Sequence, residues 1–177
     1  GIVYRSTGSW YTVQSEGVFY ECRIKGKLRL KGIKSTNPVA VGDWVYFEVD
    51  SHANANEGNI TKIEERQNYI VRKSVNLSKQ THIIASNIDQ VFLIVTLNNP
   101  PTFPAFIDRF LVTAEAYQIP AIILFNKIDT YSKLELEEIT LLQKTYENIG
   151  YSTYLISAIQ DEGIEKVKEL MQDKVSM

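Results

Sequence analysis

The sequence predicts a small β barrel of OB-fold size followed by an α/β domain on a parallel sheet. Three observations carry this. Residues 1–70 hold short β-branched and aromatic runs cut by Gly8, Gly17, Gly26, Gly32, Gly42 and Gly58, with no 3.6-residue period. After residue 86, continuous apolar runs alternate with segments of helical period. The two patterns do not overlap, so they predict two domains.

In the first half the predicted strands are Val3 to Thr7, Trp10 to Gln14, Val18 to Lys25, Leu28 to Leu30, Trp44 to Val49 and Ile60 to Glu64. Short strands packed into about 70 residues fit a small antiparallel barrel. Trp44 and Cys22 are expected in its core. In the second half, Gln90 to Leu97 (QVFLIVTL) reads as a parallel strand buried on both faces. Phe106, Ile107, Phe110, Leu111, Ala114 and Tyr117 mark a helix, and Ala121 to Phe125 a second strand. Leu134, Leu141, Leu142, Tyr146 and Ile149 mark a second helix, with Gly150 as its stop. Ser152 to Ile156 is a third strand, and Ile164, Val167, Leu170 and Met171 a third helix. The β-α-β-α-β-α order implies a parallel sheet. Residues 66–87 connect the halves and carry Arg66, Arg72, Lys73 and Lys79. The expected division is an OB-fold at 1–70, a basic linker at 71–87 and the α/β domain at 88–177.

Composition narrows the function classes. No apolar run approaches the ~20 residues that span a bilayer, and the N-terminus GIVYRSTGSW lacks a signal-peptide pattern. We therefore expect no membrane partner and a cytoplasmic location. The single cysteine, Cys22, rules out an internal disulfide and fits a reducing compartment. With His52 and His82 as the only histidines, a closed structural zinc site is not expected, and both read as surface loop residues. Residues 1–73 carry 11 basic and 8 acidic side chains, against 8 and 13 in residues 74–177, so the first half is the one suited to a polyanion.

The chemistry is concentrated in LFNKIDTY, residues 124–131. Asn126-Lys127-Ile128-Asp129 directly follows a buried strand, and ligands of parallel sheets gather beyond the carboxyl ends of the strands. The Asp129 carboxylate can accept two hydrogen bonds from adjacent N–H groups. Guanine offers that pair in its N1–H and exocyclic amine; adenine does not, and would leave a carboxylate unpaired at a cost of about 1–3 kcal/mol. Asn126 would orient the loop and meet the base edge, and the Lys127 stem would lie along the base. Ser157-Ala158, at the end of the next parallel strand, would complete the site. Ser157 would brace the Asp129 carboxylate, and the Ala158 N–H would meet the guanine oxygen. A polar turn after a strand is the plain alternative.

A phosphate loop, G-x-x-x-x-G-K-[ST], is nowhere in the sequence, and no D-x-x-G occurs. A guanine-reading end without phosphate elements, preceded by a barrel, resembles the circularly permuted GTPases of the ribosome small-subunit-dependent family (RsgA/YjeQ). Val41-Gly42-Asp43-Trp44-Val45 is similar to that family's V-G-D-x-V. Ala85-Ser86-Asn87-Ile88-Asp89-Gln90-Val91 is similar to its A-x-N-x-D-x-V, and Ile107-Asp108-Arg109-Phe110-Leu111 to its I-D-R-x-L helix. The resemblance implies an OB-fold followed by the base-reading part of a three-layer, P-loop-GTPase-like domain in circularly permuted order. It implies GTP/GDP as ligand, and Mg2+ and structural Zn2+ for a full-length protein with ligands outside this chain. It further implies GTP hydrolysis in late maturation of the small (30S) ribosomal subunit. Lys174 to Met177 would begin the strand that leads to the phosphate loop. The 177-residue chain alone is then expected to be inactive, with no catalytic residue of its own.

One more segment stands out. In Cys22 to Lys31, the cations Arg23, Lys25, Lys27, Arg29 and Lys31 fall on odd positions, with Cys22, Ile24, Leu28 and Leu30 on even ones. Along a strand this lines one side with charge. Such a face suits RNA phosphates; it equally suits a solvated edge guarded by lysines. The family resemblance implies docking on 16S rRNA. Trp10, Tyr11, Phe19 and Tyr20 are the nearby aromatics, most of them expected in or near the core. An RNA-binding OB-fold with a non-catalytic α/β half is the alternative reading.

Overall fold

A computed structural model describes residues 1–24, 38–50, 56–73 and 81–177. The chain divides into two compact units, Gly1–Asn87 and Ile88–Met177.

The first unit contains β1 (Ile2–Thr7), β2 (Trp10–Ser15), β3 (Val18–Ile24), β4 (Val45–Val49) and β5 (Glu57–Ile63), in the sheet order β1-β2-β3-β5-β4. Pairing is antiparallel except between β3 and β5, which run parallel, a departure from the all-antiparallel barrel expected. The sheet closes on itself. Ile2 bridges Trp44, and Val45 N–H donates to Gly1 O at 2.8 Å, while Val3 N–H donates to Asp43 O at 2.9 Å. Closure removes the edges that a five-stranded sheet would otherwise expose. The interior is Val3, Tyr11, Val13, Cys22, Val39, Val45 and Ile60. Alternation of faces decides who enters it. Val45 points in, so its neighbours Trp44 and Tyr46 point out, at 50% and 53% exposure. Trp44 is therefore a surface residue, not the core residue its type suggested.

The segment expected as a linker is ordered into a hairpin. β6 (Tyr69–Lys73) pairs antiparallel with β7 (Thr81–Ser86). Ile70 and Ile83 are buried, and Val41 bridges Ala85 in parallel. The β-branched pairs Ile70-Val71 and Ile83-Ile84 made these strands; the interspersed basic residues obscured them. His82 lies in β7 and not in a loop. The predicted strand Leu28 to Leu30, and His52 and Lys79, fall outside the described residues.

The V-G-D and A-S-N segments meet in this unit. Asp43 is fully buried. Its carboxylate accepts Arg66 Nε and Nη2, each at 2.6 Å, the Ser86 hydroxyl at 2.5 Å and the Ala40 amide at 2.8 Å. Four donated bonds, two of them from a buried guanidinium, make the buried charge tolerable. Gly42 has φ of +87°, and a Cβ there would stand 2.1 Å from Ser86 O, so only glycine fits. Asn87 Nδ2 donates to Gly42 O, and Asn87 Oδ1 accepts from Gln67 N–H, both at 2.9 Å.

The second unit contains β8 (Val91–Val95), α1 (Pro104–Ala116), β9 (Ala121–Phe125), α2 (Lys133–Asn148), β10 (Ser152–Leu155) and α3 (Ile164–Met171). The sheet order is β10-β9-β8, all parallel. Leu93, Val95, Ile123 and Phe125 pack with Ile107 and Leu111 of α1 and Ile139 and Tyr146 of α2. Ile122, Leu124 and Ile156 pack with Ile164, Val167 and Leu170 of α3. The sheet is thus the middle of three layers, which is why its strands are apolar throughout. In α2 the period alone misled: Ile139 and Tyr146 are buried, whereas Leu134, Leu141 and Ile149 are 65–78% exposed.

Beyond α3, residues 175–177 lie parallel to the start of β8. Asp89 N–H donates to Val175 O at 2.9 Å, Phe92 N–H to Met177 O at 2.8 Å, and Ser176 bridges Gln90. Asp89 Oδ2 accepts the Val175 amide at 2.7 Å, and buried Gln90 donates to Leu170 O and Ser176 Oγ. No helix of the described residues is long and apolar enough to cross a membrane.

Candidate guanine-reading site

The site stands at the carboxyl ends of β9 and β10. After Phe125 the main chain leaves the ladder: Asn126 N–H still donates to Val95 O at 2.9 Å, and Lys127 then turns into the left-handed region at φ 70°. A single 3-10 turn, Ile128–Thr130, follows and carries Asp129. Thr130 Oγ1 donates to Lys127 O at 2.8 Å, which ties the turn down. Ile128 N–H donates to Ile156 O at 3.3 Å, joining the loop to the end of β10.

Two cross-bonds join the two motifs. The hydroxyl of Ser157, fully buried, donates to Asp129 Oδ1 at 2.5 Å. The Ala158 N–H donates to Asn126 Oδ1 at 3.2 Å. The Ala158 N–H is thus engaged by Asn126, where the sequence pointed it at a guanine oxygen; a base edge entering here would share or replace that bond. Ser157 is itself fixed. Its N–H donates to Glu162 O at 2.9 Å, and its Oγ accepts Gln160 N–H at 3.2 Å. Lys127 is half-buried, and its ammonium donates to Asn99 O in the loop after β8. Asp129 is exposed, so its carboxylate is held on one oxygen and open on the other side to a ligand.

Sequence reasoning missed a supporting set. Tyr131, 8% exposed, donates to Asn126 O and accepts from Leu97 N–H, each at 2.9 Å. Ser132 and Glu135 form a capping box at the start of α2, with Ser132 N–H donating to Glu135 Oε2 at 2.7 Å. Glu135 also accepts Asn98 Nδ2 at 2.6 Å. The donors on Glu135, Ser132 foremost, hold its carboxyl below the usual range. The capping box was readable as S-x-x-E before an apolar run; the Tyr131 bonds had no sequence signature.

On the first unit, alternation holds where the basic segment is described: Cys22 is buried and Arg23 exposed. The Arg23 guanidinium lies over the Trp10 ring, 3.8 Å from its centroid. Tyr4 and Phe19, both more than half exposed, meet edge to face at 5.5 Å. Tyr11 is core. Glu21 also lies on this outer face, accepting Thr12 Oγ1 at 2.7 Å and pairing with Arg5 at 3.4 Å, so the face is mixed in charge here. Lys25, Lys27, Arg29 and Lys31 fall outside the described residues. Among the described residues, no three His, Cys, Asp or Glu side chains come together to hold a metal ion.

A model of the family described as RsgA GTPase matches residues 63–177, and one described as RsgA N-terminal domain matches residues 1–60. The chain belongs to the RsgA GTPase family. Among curated relatives, the small ribosomal subunit biogenesis GTPase RsgA of Flavobacterium johnsoniae is 64% identical over all of this chain and 55% of its own length. The protein of the same name from Bacteroides fragilis is 49% identical over all of this chain and 56% of its own. The chain therefore spans about half the length of the relatives it matches. The crystal structure of YjeQ from Thermotoga maritima superposes with a TM-score of 0.79 at 31% identity, covering 99% of this chain and 58% of that one. YloQ, titled a circularly permuted GTPase, gives 0.72 at 29%, covering 99% and 57%. The RsgA match settles the fold as an OB-type barrel followed by part of a circularly permuted GTPase domain.

Proposed function

We propose that the chain supplies the guanine-selecting part and the RNA-facing barrel of a GTP-binding, GTP-hydrolysing factor in small ribosomal subunit maturation. The observation that carries it is the Ser157 to Asp129 bond. It presents a carboxylate, held from behind, at the carboxyl end of a parallel sheet, where guanine selection needs a paired acceptor. The names of the relatives supply the ribosomal context. Asn126, Lys127, Asp129, Ser157 and Ala158 form the guanine site in this reading, with GTP/GDP as ligand. The chain carries no phosphate-loop pattern, so this reading assigns it the base and not the phosphates, Mg2+ or Zn2+. We divide the chain into the barrel with its hairpin, 1–87, and the base-reading part of the GTPase domain, 88–177.

The barrel is proposed to bind 16S rRNA through Arg23 and the cations Lys25, Lys27, Arg29 and Lys31. Arg23 stacked on Trp10 supports this, since a cation over an aromatic plane is a surface on which bases stack.

Titration of the 177-residue chain with GMP, AMP and XMP, read by amide chemical shifts, tests the guanine assignment. GMP is expected to bind weakly but better than AMP. Asp129→Asn replaces one acceptor by a donor, which suits the C2 carbonyl of xanthine, so the variant should lose GMP and gain XMP. Equal response to GMP and AMP would overturn the reading. The same chain should show no appreciable GTP turnover, because hydrolysis requires phosphate-cradling Lys and Ser/Thr groups that it lacks. Turnover stimulated by small subunits and lost in Asp129→Asn would contradict this.

A further inference from the structure

We infer that the Tyr131 hydroxyl is a positioning group for base recognition, acting through Asn126. The inference rests on the guanine reading of the site and adds a residue to it. Strands β8 and β9 are in register through Val95 and Phe125. One step further on, Asn126 N–H still reaches Val95 O at 2.9 Å, but the next rung of the ladder is not made directly. The Tyr131 oxygen stands in its place. It accepts Leu97 N–H and donates to Asn126 O, both at 2.9 Å, so the order across the gap is Leu97 N–H, phenol O–H, Asn126 C=O. An inserted hydroxyl spaces the two strand ends farther apart than a direct amide-to-carbonyl bond would. It also satisfies two main-chain groups that the divergence would leave unpaired.

The bridge acts on a residue with a task. The carbonyl that Tyr131 holds belongs to Asn126, whose side-chain oxygen takes the Ala158 N–H at 3.2 Å. Fixing the Asn126 main chain therefore fixes the side chain that joins the two base-reading motifs. The loop after β8 is tied once more to the base-reading loop, by the Lys127 ammonium to Asn99 O, and once to the start of α2, by Asn98 Nδ2 to Glu135 at 2.6 Å. The loop after β8 is thus fastened at three points to the base-reading loop and the helix that follows it, and Tyr131 is the buried fastening of the three. Asp129 is held separately, by Ser157. Tyr131 should accordingly govern how tightly the base is held, and Asp129 which base is chosen.

The test is Tyr131→Phe in the 177-residue chain, which keeps the ring and removes only the bridge. Its ligand-free spectrum should show displaced signals for the Ala158 amide and the Asn126 side-chain amide. GMP affinity should fall about 3- to 10-fold, the worth of one lost hydrogen bond. The preference for GMP over XMP should stay unchanged. A tyrosine that merely fills the core would lower the melting temperature and leave Ala158, Asn126 and GMP affinity as they were; that result overturns the inference. Tyr131→Leu, which also removes the ring, shows what loss of packing looks like in the same spectrum. Should the Phe variant resemble it, hydrogen exchange in the unmutated chain decides. The Leu97 and Ala158 amides should open in one event with the same free energy, and unequal opening would refute the coupling. Failure of the guanine reading is seen elsewhere, in equal binding of GMP and AMP by the unmutated chain, while the Ala158 displacement is read without any nucleotide.

Discussion

The Ser157 hydroxyl donates to Asp129 Oδ1 at 2.5 Å, joining two motifs 28 residues apart in sequence. Ser157 is fully buried and Asp129 is exposed, so the bond runs from a fixed group to a presented one. Ser157→Ala removes the donor without adding bulk. GMP affinity should fall by about 3- to 10-fold, the value of one hydrogen bond to the carboxylate. The preference over AMP should narrow as Asp129 gains freedom. A GMP titration of the variant at constant pH checks this.

The Asp43–Arg66 pair predicts a larger effect on stability. Asp43 is fully buried, and the Arg66 side chain is 5% exposed. Arg66→Met keeps the length of the side chain and leaves the carboxylate without its counter-charge. The first unit should lose about 3–5 kcal/mol. The Asp43→Asn, Arg66→Met double variant should lose less than the sum of the two single changes, because the pair is one unit. Urea unfolding followed by tryptophan fluorescence measures all three, since both tryptophans, Trp10 and Trp44, lie in this unit.

Tyr146 gives a pH prediction for the second unit. Burial first, then its hydrogen bond to Asp108 at 2.9 Å and that residue's charge, push its hydroxyl from the ordinary 10 up to about 12. The folded state favours the neutral phenol, so its contribution is whole below pH 10. That contribution fades as pH rises from about 10 to about 12. Tyr146→Phe should be less stable than the unmutated chain at pH 8 and should lose less on going to pH 11. Urea midpoints at the two pH values test the difference.

The barrel surface predicts salt dependence. Arg23, Lys27 and Arg29 changed together to Glu should weaken small-subunit binding. The slope of log affinity against log salt should shrink by about 1 for each phosphate no longer neutralised. Unchanged binding over a salt series would remove the RNA face from this segment.

Sequence alone reached the element types of the second unit, because a strand covered on both faces must be apolar along its whole length. Ala121–Phe125 is such a strand and was read residue for residue. It failed where exposure is decided by partners. Leu134 and Leu141 obey a helical period but look to solvent, since α2 packs through Ile139 and Tyr146. Trp44 faces out because Val45 faces in. The β6–β7 hairpin was hidden by its basic residues, and the parallel β3–β5 pairing is a matter of topology that local pattern does not encode. At the site, residue types and strand ends placed Asn126, Lys127, Asp129, Ser157 and Ala158 together. What stayed invisible was Tyr131, whose role exists only in three dimensions, and the bond by which Asn126 occupies the Ala158 amide.

The Asp43 site sets an order of events during synthesis. A growing chain exposes Asp43 first, Arg66 23 residues later and Ser86 43 residues later. All five barrel strands are complete by Ile63, before either of those partners exists. The Asp43 carboxylate therefore gains its full set of donors only once Ser86, in the second strand of the hairpin, has been made. The N-terminal family match ends at residue 60, short of both side chains that hold this buried carboxylate, Arg66 and Ser86.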